Sequence, residues 1–311
     1  MTFMHRLLYP LQQYGNLCKV KVCVFSALSA MAGCLLAPVP TIGKLLSLAL
    51  GVFLLACGGS ALNQYQERAT DALMERTCHR PIPAGHIRPL RALWFALAVL
   101  VLALAMLAVI GGLTALLLGL FAVLWYNLLY TYLKRKSAFA ICPGALVGVI
   151  PPAIGWVAGG GVLSDPRLWA LGFLFFMWQM PHFWLLMLDC GKEYEKAGLP
   201  CLSTIFPQGQ LRRIIFHWIV ALAVSSLCIS LYGLADAPLL QAALFAAAAW
   251  ITWNGKNLLV RDGDTGRLFR MVNAYMFAMV LGIALDGMFV SPLSSHFWDE
   301  TVHGIPPGIF L

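Results

Sequence analysis

Residues 92–133 read ALWFALAVLVLALAMLAVIGGLTALLLGLFAVLWYNLLYTYL, without one Asp, Glu, Lys or Arg, between Arg91 and the cluster Lys134-Arg135-Lys136. A helix needs about 20 apolar residues to cross the roughly 30 Å hydrocarbon core of a bilayer. The stretch therefore predicts two spans back to back, 91–110 and 113–133, joined at Gly111-Gly112. Blocks of the same kind recur on either side, and predict seven more spans at 21–39, 44–62, 139–160, 167–188, 214–234, 237–254 and 270–290. Composition agrees: 60% of the 311 residues are hydrophobic and 11% charged, where a soluble domain carries about 25%. Mean hydropathy is +0.80. Water is not the main solvent of such a chain, and the fold class expected is all-α, a polytopic bundle of about nine transmembrane helices.

The connections alternate in character. Those after the first, third, fifth and seventh spans are short and nearly uncharged; those after the second, fourth, sixth and eighth are polar and basic. Nineteen of the 21 Lys and Arg fall on one side of this arrangement, with only Lys44 and Arg167 on the other. The positive-inside rule then puts the N-terminal segment 1–20 and the large loops in the cytoplasm, and the tail 291–311 outside. The net charge of +8 is accounted for by topology and calls for no nucleic acid. The nine cysteines lack CxxC or paired zinc spacing, and Cys23, Cys34, Cys57, Cys142 and Cys228 sit inside apolar runs as small hydrophobes. Met1 to Val20 is too long and polar for a signal-peptide n-region, and the chain beyond it continues in the same membrane style, so no cleavage is expected.

The two longest cytoplasmic loops each begin with acids at helical spacing, where a span emerges. The first carries Asn63-x-x-x-Glu67-x-x-x-Asp71, then Met74-Glu75-Arg76-Thr77 and Arg80-Pro81. Steps of four place the three side chains along one helix face over about 12 Å. Hard oxygens there suit Mg²⁺ bound to a diphosphate; a solvated acidic helix end is the plainer alternative. The second carries Asp189-x-x-x-Glu193-Tyr194 with Lys192 and Lys196. Four spans lie between the two, the layout of a duplicated helical unit with both acidic edges on one cytoplasmic cavity. The carboxylates of Glu67, Asp71, Asp189 and Glu193 would hold Mg²⁺, and neighbouring Arg and Lys the remaining phosphate charge.

Three further segments stand out. Tyr130-Thr131-Tyr132-Leu133-Lys134-Arg135-Lys136 ends a span in a basic cluster, which is either a topology signal or a ring and an ammonium meeting one phosphate. Trp178-Gln179-Met180-Pro181-His182-Phe183-Trp184 puts a histidine at membrane depth, where polar groups usually face a cavity. Pro151-Pro152-Ala153-Ile154-Gly155-Trp156 is structural, as a kink lining the cavity or a close helix contact.

Together these motifs resemble the UbiA superfamily of intramembrane prenyltransferases, and Trp-Gln-x-Pro-His and Tyr-Thr-x-x-Leu-Lys-Arg resemble its haem-farnesylating branch. The likeness runs from about Lys19 to Phe206 in motifs and beyond as span pattern. Glu67 departs from the Asp usual in the first motif, and Ala69 from a frequent further acid, so one carboxylate reaches a methylene further. The resemblance implies a single domain over 1–311, a helix bundle around a central cavity in a bacterial-type cytoplasmic membrane. It implies transfer of a farnesyl group from farnesyl diphosphate to a vinyl group of haem B, making haem O. Asn63, Glu67, Asp71, Asp189 and Glu193 would be catalytic, with Mg²⁺ on the four carboxylates. Arg76, Tyr130, Lys134, Arg135 and Lys192 would bind the diphosphate, and His182 the haem. Tyr130 and Trp178 would face the allylic cation. Haem A synthase or terminal oxidase assembly factors are the protein partners implied. Two other readings stay open: a sister enzyme prenylating an aromatic or quinone precursor, and, further off, a transporter.

Overall fold

The computed structural model describes residues 3–39, 42–259 and 264–289, without the side chains of 3–8, 189, 190, 192, 288 and 289. The tail 291–311 and Arg261, both part of the topology expectation, lie outside the described residues. All regular structure among the described residues is helical. The main helices are α1 (Phe3–Cys18), α2 (Val20–Leu35), α3 (Leu45–Asp71), α4 (Pro89–Val123), α5 (Ile150–Ala158), α6 (Pro166–Lys196), α7 (Gln208–Cys228), α8 (Pro238–Gly255) and α9 (Thr265–Phe289). Pro89, Pro166 and Pro238 open α4, α6 and α8, where a missing N–H costs nothing and φ is already set.

Six helical runs among the described residues are long and apolar enough to cross a membrane, and a seventh if the bent pair Tyr9–Cys18 and Val20–Leu35, meeting at 56°, is one broken span. The expected count of nine is not reached by that measure, for two physical reasons. The predicted third and fourth spans form one continuous helical run, Pro89–Leu133, of 45 residues. Straight, it would extend about 68 Å, twice the hydrocarbon thickness. It folds back instead at Gly112, whose φ of 68° and ψ of −161° suit only glycine. A Cβ on Gly119 would lie 2.9 Å from the Leu107 side chain and 3.1 Å from Leu104, so the two halves pack as a hairpin. The other shortfall is α8, only 18 residues long and interrupted by Gln241, Thr252 and Asn254.

Packing divides the buried interior. One core joins α2–α5 through Ala30, Cys34, Leu48, Val52, Leu55, Leu107 and Ile154; the larger joins α6–α9 through Leu171, Leu174, Leu185, Ile215, Ile219, Ile251, Val272 and Ile283. Val109, Leu239, Leu46 and Leu231 are at least 78% exposed on the outer surface, which only a lipid solvent tolerates in such number. Exposed Trp94, Trp169 and Trp253 sit near helix ends, as interfacial anchors do. The protein is an integral membrane protein.

The Pro151–Trp156 segment makes a close contact between α2 and α5. A Cβ on Gly155 would stand 1.8 Å from the Ala30 carbonyl oxygen, and one on Gly33 2.0 Å from that of Pro152. Backbone meets backbone there, the approach that small residues allow between membrane helices. α6 runs through Pro181 as a single helix.

Candidate functional site

The acidic face of α3 is not solvated. Asn63 is 1% exposed, Glu67 6% and Asp71 1%, which excludes the plain solvated-end reading. Buried charges need partners, and each has one. Lys134 at the end of the α4 run forms an ion pair with Glu67. Arg80 Nη1 donates to both Asp71 oxygens, at 2.8 and 2.7 Å. Asn63 Nδ2 donates to Thr131 Oγ1 (3.0 Å), and its Oδ1 accepts from Lys19 Nζ (3.3 Å).

These partners arrive through local backbone departures. After Val123 the helix widens into a π-helical turn, Leu124–Tyr130, before three α-helical residues, Thr131–Leu133. The wide turn carries Asn127 onto α3, where Nδ2 donates to the Gly59 carbonyl (3.0 Å) and Gln66 Oε1 (3.2 Å). Thr131 Oγ1 donates back to the Tyr126 carbonyl, five residues earlier, at 2.8 Å. Such turns recur at functional sites. Lys19 sits at the break between α1 and α2 with φ 56°, ψ 50°, a left-handed backbone rare outside glycine.

The second acidic motif ends α6. Arg76, from the turn-rich loop after α3, bridges to it: Nη2 donates to Tyr194 Oη at 2.7 Å, its guanidinium lies 5.1 Å from that ring's centroid, and Nε is 3.8 Å from Glu193 Oε2. Glu193 Oε2 is sealed from solvent and has no hydrogen-bond partner among the described residues. The Asp189 and Lys192 backbones belong to α6, and their side chains lie outside the described residues.

Tyr130 turns its ring to the Lys134 ammonium, 5.6 Å from the centroid, and stacks on Tyr126 at 5.9 Å. Arg135 faces differently. Its Nη2 donates to the Gln66 carbonyl (2.8 Å) and its guanidinium packs over Tyr132, so it braces α3 beside Glu67. His182 stands apart from the acids, packed among Trp178, Phe183 and Phe269 and bonded to Asn273.

The structure thus brings Asn63, Glu67, Asp71, Arg76, Tyr130, Lys134 and Glu193 to one end of the bundle, with Arg135 behind them. Spacing had not assigned Lys19, Arg80, Thr131 or Asn273 to a site. Arg80 lies beyond a nonhelical loop, Lys19 at a helix break, and only the polarity of Asn273 inside a span marked it out.

Acids and cations interleaved at one end of the bundle can accept a polyanion together with a divalent cation. The donor set suits Mg²⁺: hard oxygens, among them the orphaned Glu193 Oε2. No group of three or more His, Cys, Asp or Glu among the described residues forms a ready cage. Mg²⁺ ordinarily needs none, since one or two carboxylates and substrate phosphates hold it.

Known proteins resemble the chain in sequence and in fold. A protoheme IX farnesyltransferase of Geobacter sulfurreducens is 38% identical over 270 residues, covering 85% of this chain and 96% of that one. Another from Nitratidesulfovibrio vulgaris is 40% identical over 217 residues, 70% of this chain and 75% of that one. A solved UbiA homologue from Archaeoglobus fulgidus, bound to GPP and Mg²⁺, shares the fold with a TM-score of 0.67 at 16% identity, covering 89% of this chain and 100% of that one. The profile of the UbiA prenyltransferase family matches residues 24–283, and the chain belongs to that family.

Proposed function

We propose that this prenyltransferase moves the farnesyl group of farnesyl diphosphate onto a vinyl group of haem B, giving haem O. The observation that best supports a diphosphate site is the bridge between two motifs 118 residues apart, Arg76 to Tyr194 and Glu193, beside the Glu67–Lys134 pair. The acceptor rests on the relatives' names and on His182, a histidine at membrane depth beside an aromatic cluster. Membership of a prenyltransferase family sets the transporter reading aside.

Glu67, Asp71 and Glu193, with Asp189, would hold Mg²⁺, which when bound neutralises the departing diphosphate. The chain's own residues supply the rest. Lys134 and Arg80 now lie on Glu67 and Asp71, and Arg76 on Glu193; an arriving diphosphate takes up part of that positive charge. Lys19 and Thr131 fix the Asn63 amide from both ends. As the C1–O bond breaks, its electron pair leaves with the diphosphate, and Arg76 and Lys134 stabilise the charge that develops. The Tyr130 and Trp178 rings face the allylic cation. The vinyl carbon bonds to C1, water adds to the cation left on the porphyrin side chain, and a proton is released, leaving a hydroxyethylfarnesyl group.

The whole chain acts as one unit. It lies in a bacterial-type cytoplasmic membrane, with the N-terminus and acid-bearing loops in the cytoplasm and the C-terminus outside. Nineteen of 21 basic residues on one side support that orientation. The test is direct: membranes containing the protein are incubated with haem B and farnesyl diphosphate, and haem O is sought by mass. Prenylation of a quinone precursor instead, with haem B untouched, would overturn the acceptor assignment.

A further inference from the structure

His182 lies on α6 with rings on three sides, the centroids of Trp178, Phe269 and Phe183 being 5.1, 4.8 and 5.3 Å away. Its Nδ1 is 2.7 Å from Asn273 Oδ1, contributed by α9 from 91 residues further on. The amide of Asn273 has a second bond, Nδ2 donating to the Phe269 carbonyl at 2.8 Å. That second bond decides the chemistry of the first. A carbonyl oxygen only accepts, so the amide NH₂ must face Phe269 and the amide oxygen must face the imidazole. The amide oxygen also only accepts, so Nδ1 carries the proton. In the neutral ring the lone pair then sits on Nε2, the nitrogen opposite the Asn273 bond.

A histidine that only fills space has no need of a chosen tautomer. One that ligates a metal does: the ligating nitrogen must be bare, and its opposite N–H is ordinarily held by a carbonyl or carboxylate. We propose that Asn273 is a positioning residue for the acceptor, fixing His182 with Nδ1 protonated so that Nε2 ligates the iron of bound haem B. The proposal rests on the haem reading given above. Phe269 serves twice, its carbonyl orienting the amide and its ring packing on the imidazole it orients.

The experiment uses the full-length protein purified in detergent and titrated with ferric haem B, followed by absorption and electron paramagnetic resonance. Diphosphate binding is measured on the same samples with farnesyl diphosphate. Asn273→Leu keeps the branched shape and removes the acceptor. Loss of such a partner typically weakens a metal site 10- to 100-fold, so haem affinity is expected to fall about tenfold or more, with loss of the nitrogen-ligated spectrum and unchanged diphosphate binding. Asn273→Asp retains an acceptor and is expected to restore the spectrum, with a lower ferric/ferrous midpoint potential. His182→Ala is expected to lose the spectrum outright. A wild-type spectrum and affinity in Asn273→Leu, with both lost in His182→Ala, overturns the role of Asn273 and leaves the haem reading standing. A wild-type spectrum in His182→Ala overturns the haem reading itself. Equal loss of haem and diphosphate binding in both Asn273 variants returns the pair to a purely structural role.

Discussion

Glu193→Gln separates function from stability more sharply than any other change in the site. The substitution is isosteric and removes one charge. Glu193 Oε2 is sealed from solvent and has no hydrogen-bond partner among the described residues, and Arg76 Nε is 3.8 Å away, too far for a hydrogen bond. A buried polar atom left unsatisfied costs about 1–3 kcal/mol. A partly exposed ion pair returns about 0–1 kcal/mol, and here both side chains keep about 30% of their surface. The neutral amide therefore leaves stability unchanged or raises it by about 1 kcal/mol, an upward shift of about 1–2 °C in Tm for 311 residues. Activity moves the other way. Loss of one preorganised electrostatic group at the reacting centre typically costs about 100- to 1,000-fold in turnover, and half-saturation by Mg²⁺ should rise. The assay pairs haem O formation across a Mg²⁺ series with thermal unfolding of the same detergent-solubilised samples. Turnover above a third of wild type would refute the metal-site assignment, and a large drop in Tm would refute the claim that Oε2 lacks a structural partner.

Asp71→Asn is expected to lose both properties, since it leaves Arg80 without its charge partner; one half of a buried pair is worth about 3–5 kcal/mol, so a variant that is inactive yet melts like wild type would contradict the pairing at 2.7 Å. Stripping divalent cations with a chelator should abolish product formation and Mg²⁺ should restore it; activity that survives chelation removes the metal. Gly155→Val places a Cβ 1.8 Å from a backbone oxygen, an overpacking worth about 3 kcal/mol or more, read as loss of monodisperse protein on size exclusion; a normal yield would deny the α2–α5 contact. Reporter fusions after Lys136 should read cytoplasmic and at Leu311 external, and a cytoplasmic C-terminus would reverse the orientation.

The membrane bundle was legible because its signals are local. Twenty-residue apolar blocks and one-sided charge need no tertiary information, and they located helices from α2 to α9. The acidic motifs were legible for the same reason, as helical spacing is a property of one element. What could not be read is the pairing between elements. Asp71 and Arg80 are nine residues apart across a nonhelical loop, so no periodicity links them. Burial of the α3 acids was also hidden, because it depends on Lys134, Arg80 and Lys19 arriving from elsewhere. The side chain of Asp189, half of the second predicted pair, lies outside the described residues. Arg135 was grouped with Lys134 by adjacency alone, yet neighbours on a helix point about 100° apart, and its partner is the Gln66 carbonyl.

The wide turn at Leu124–Tyr130 has a consequence for how the sequence can change. A π-helical turn holds one residue more than the α-helix it interrupts, so the segment behaves as a single-residue insertion kept in place. Deleting one residue there would restore regular hydrogen bonding and leave a sound apolar span. It would also rotate everything downstream by about 100°, swinging Thr131 away from Asn63 and Lys134 away from Glu67. The shortened chain would insert into the membrane as well as its parent and bind no diphosphate. The reading frame of the site is thus set by one surplus residue in a stretch where almost any apolar side chain would do.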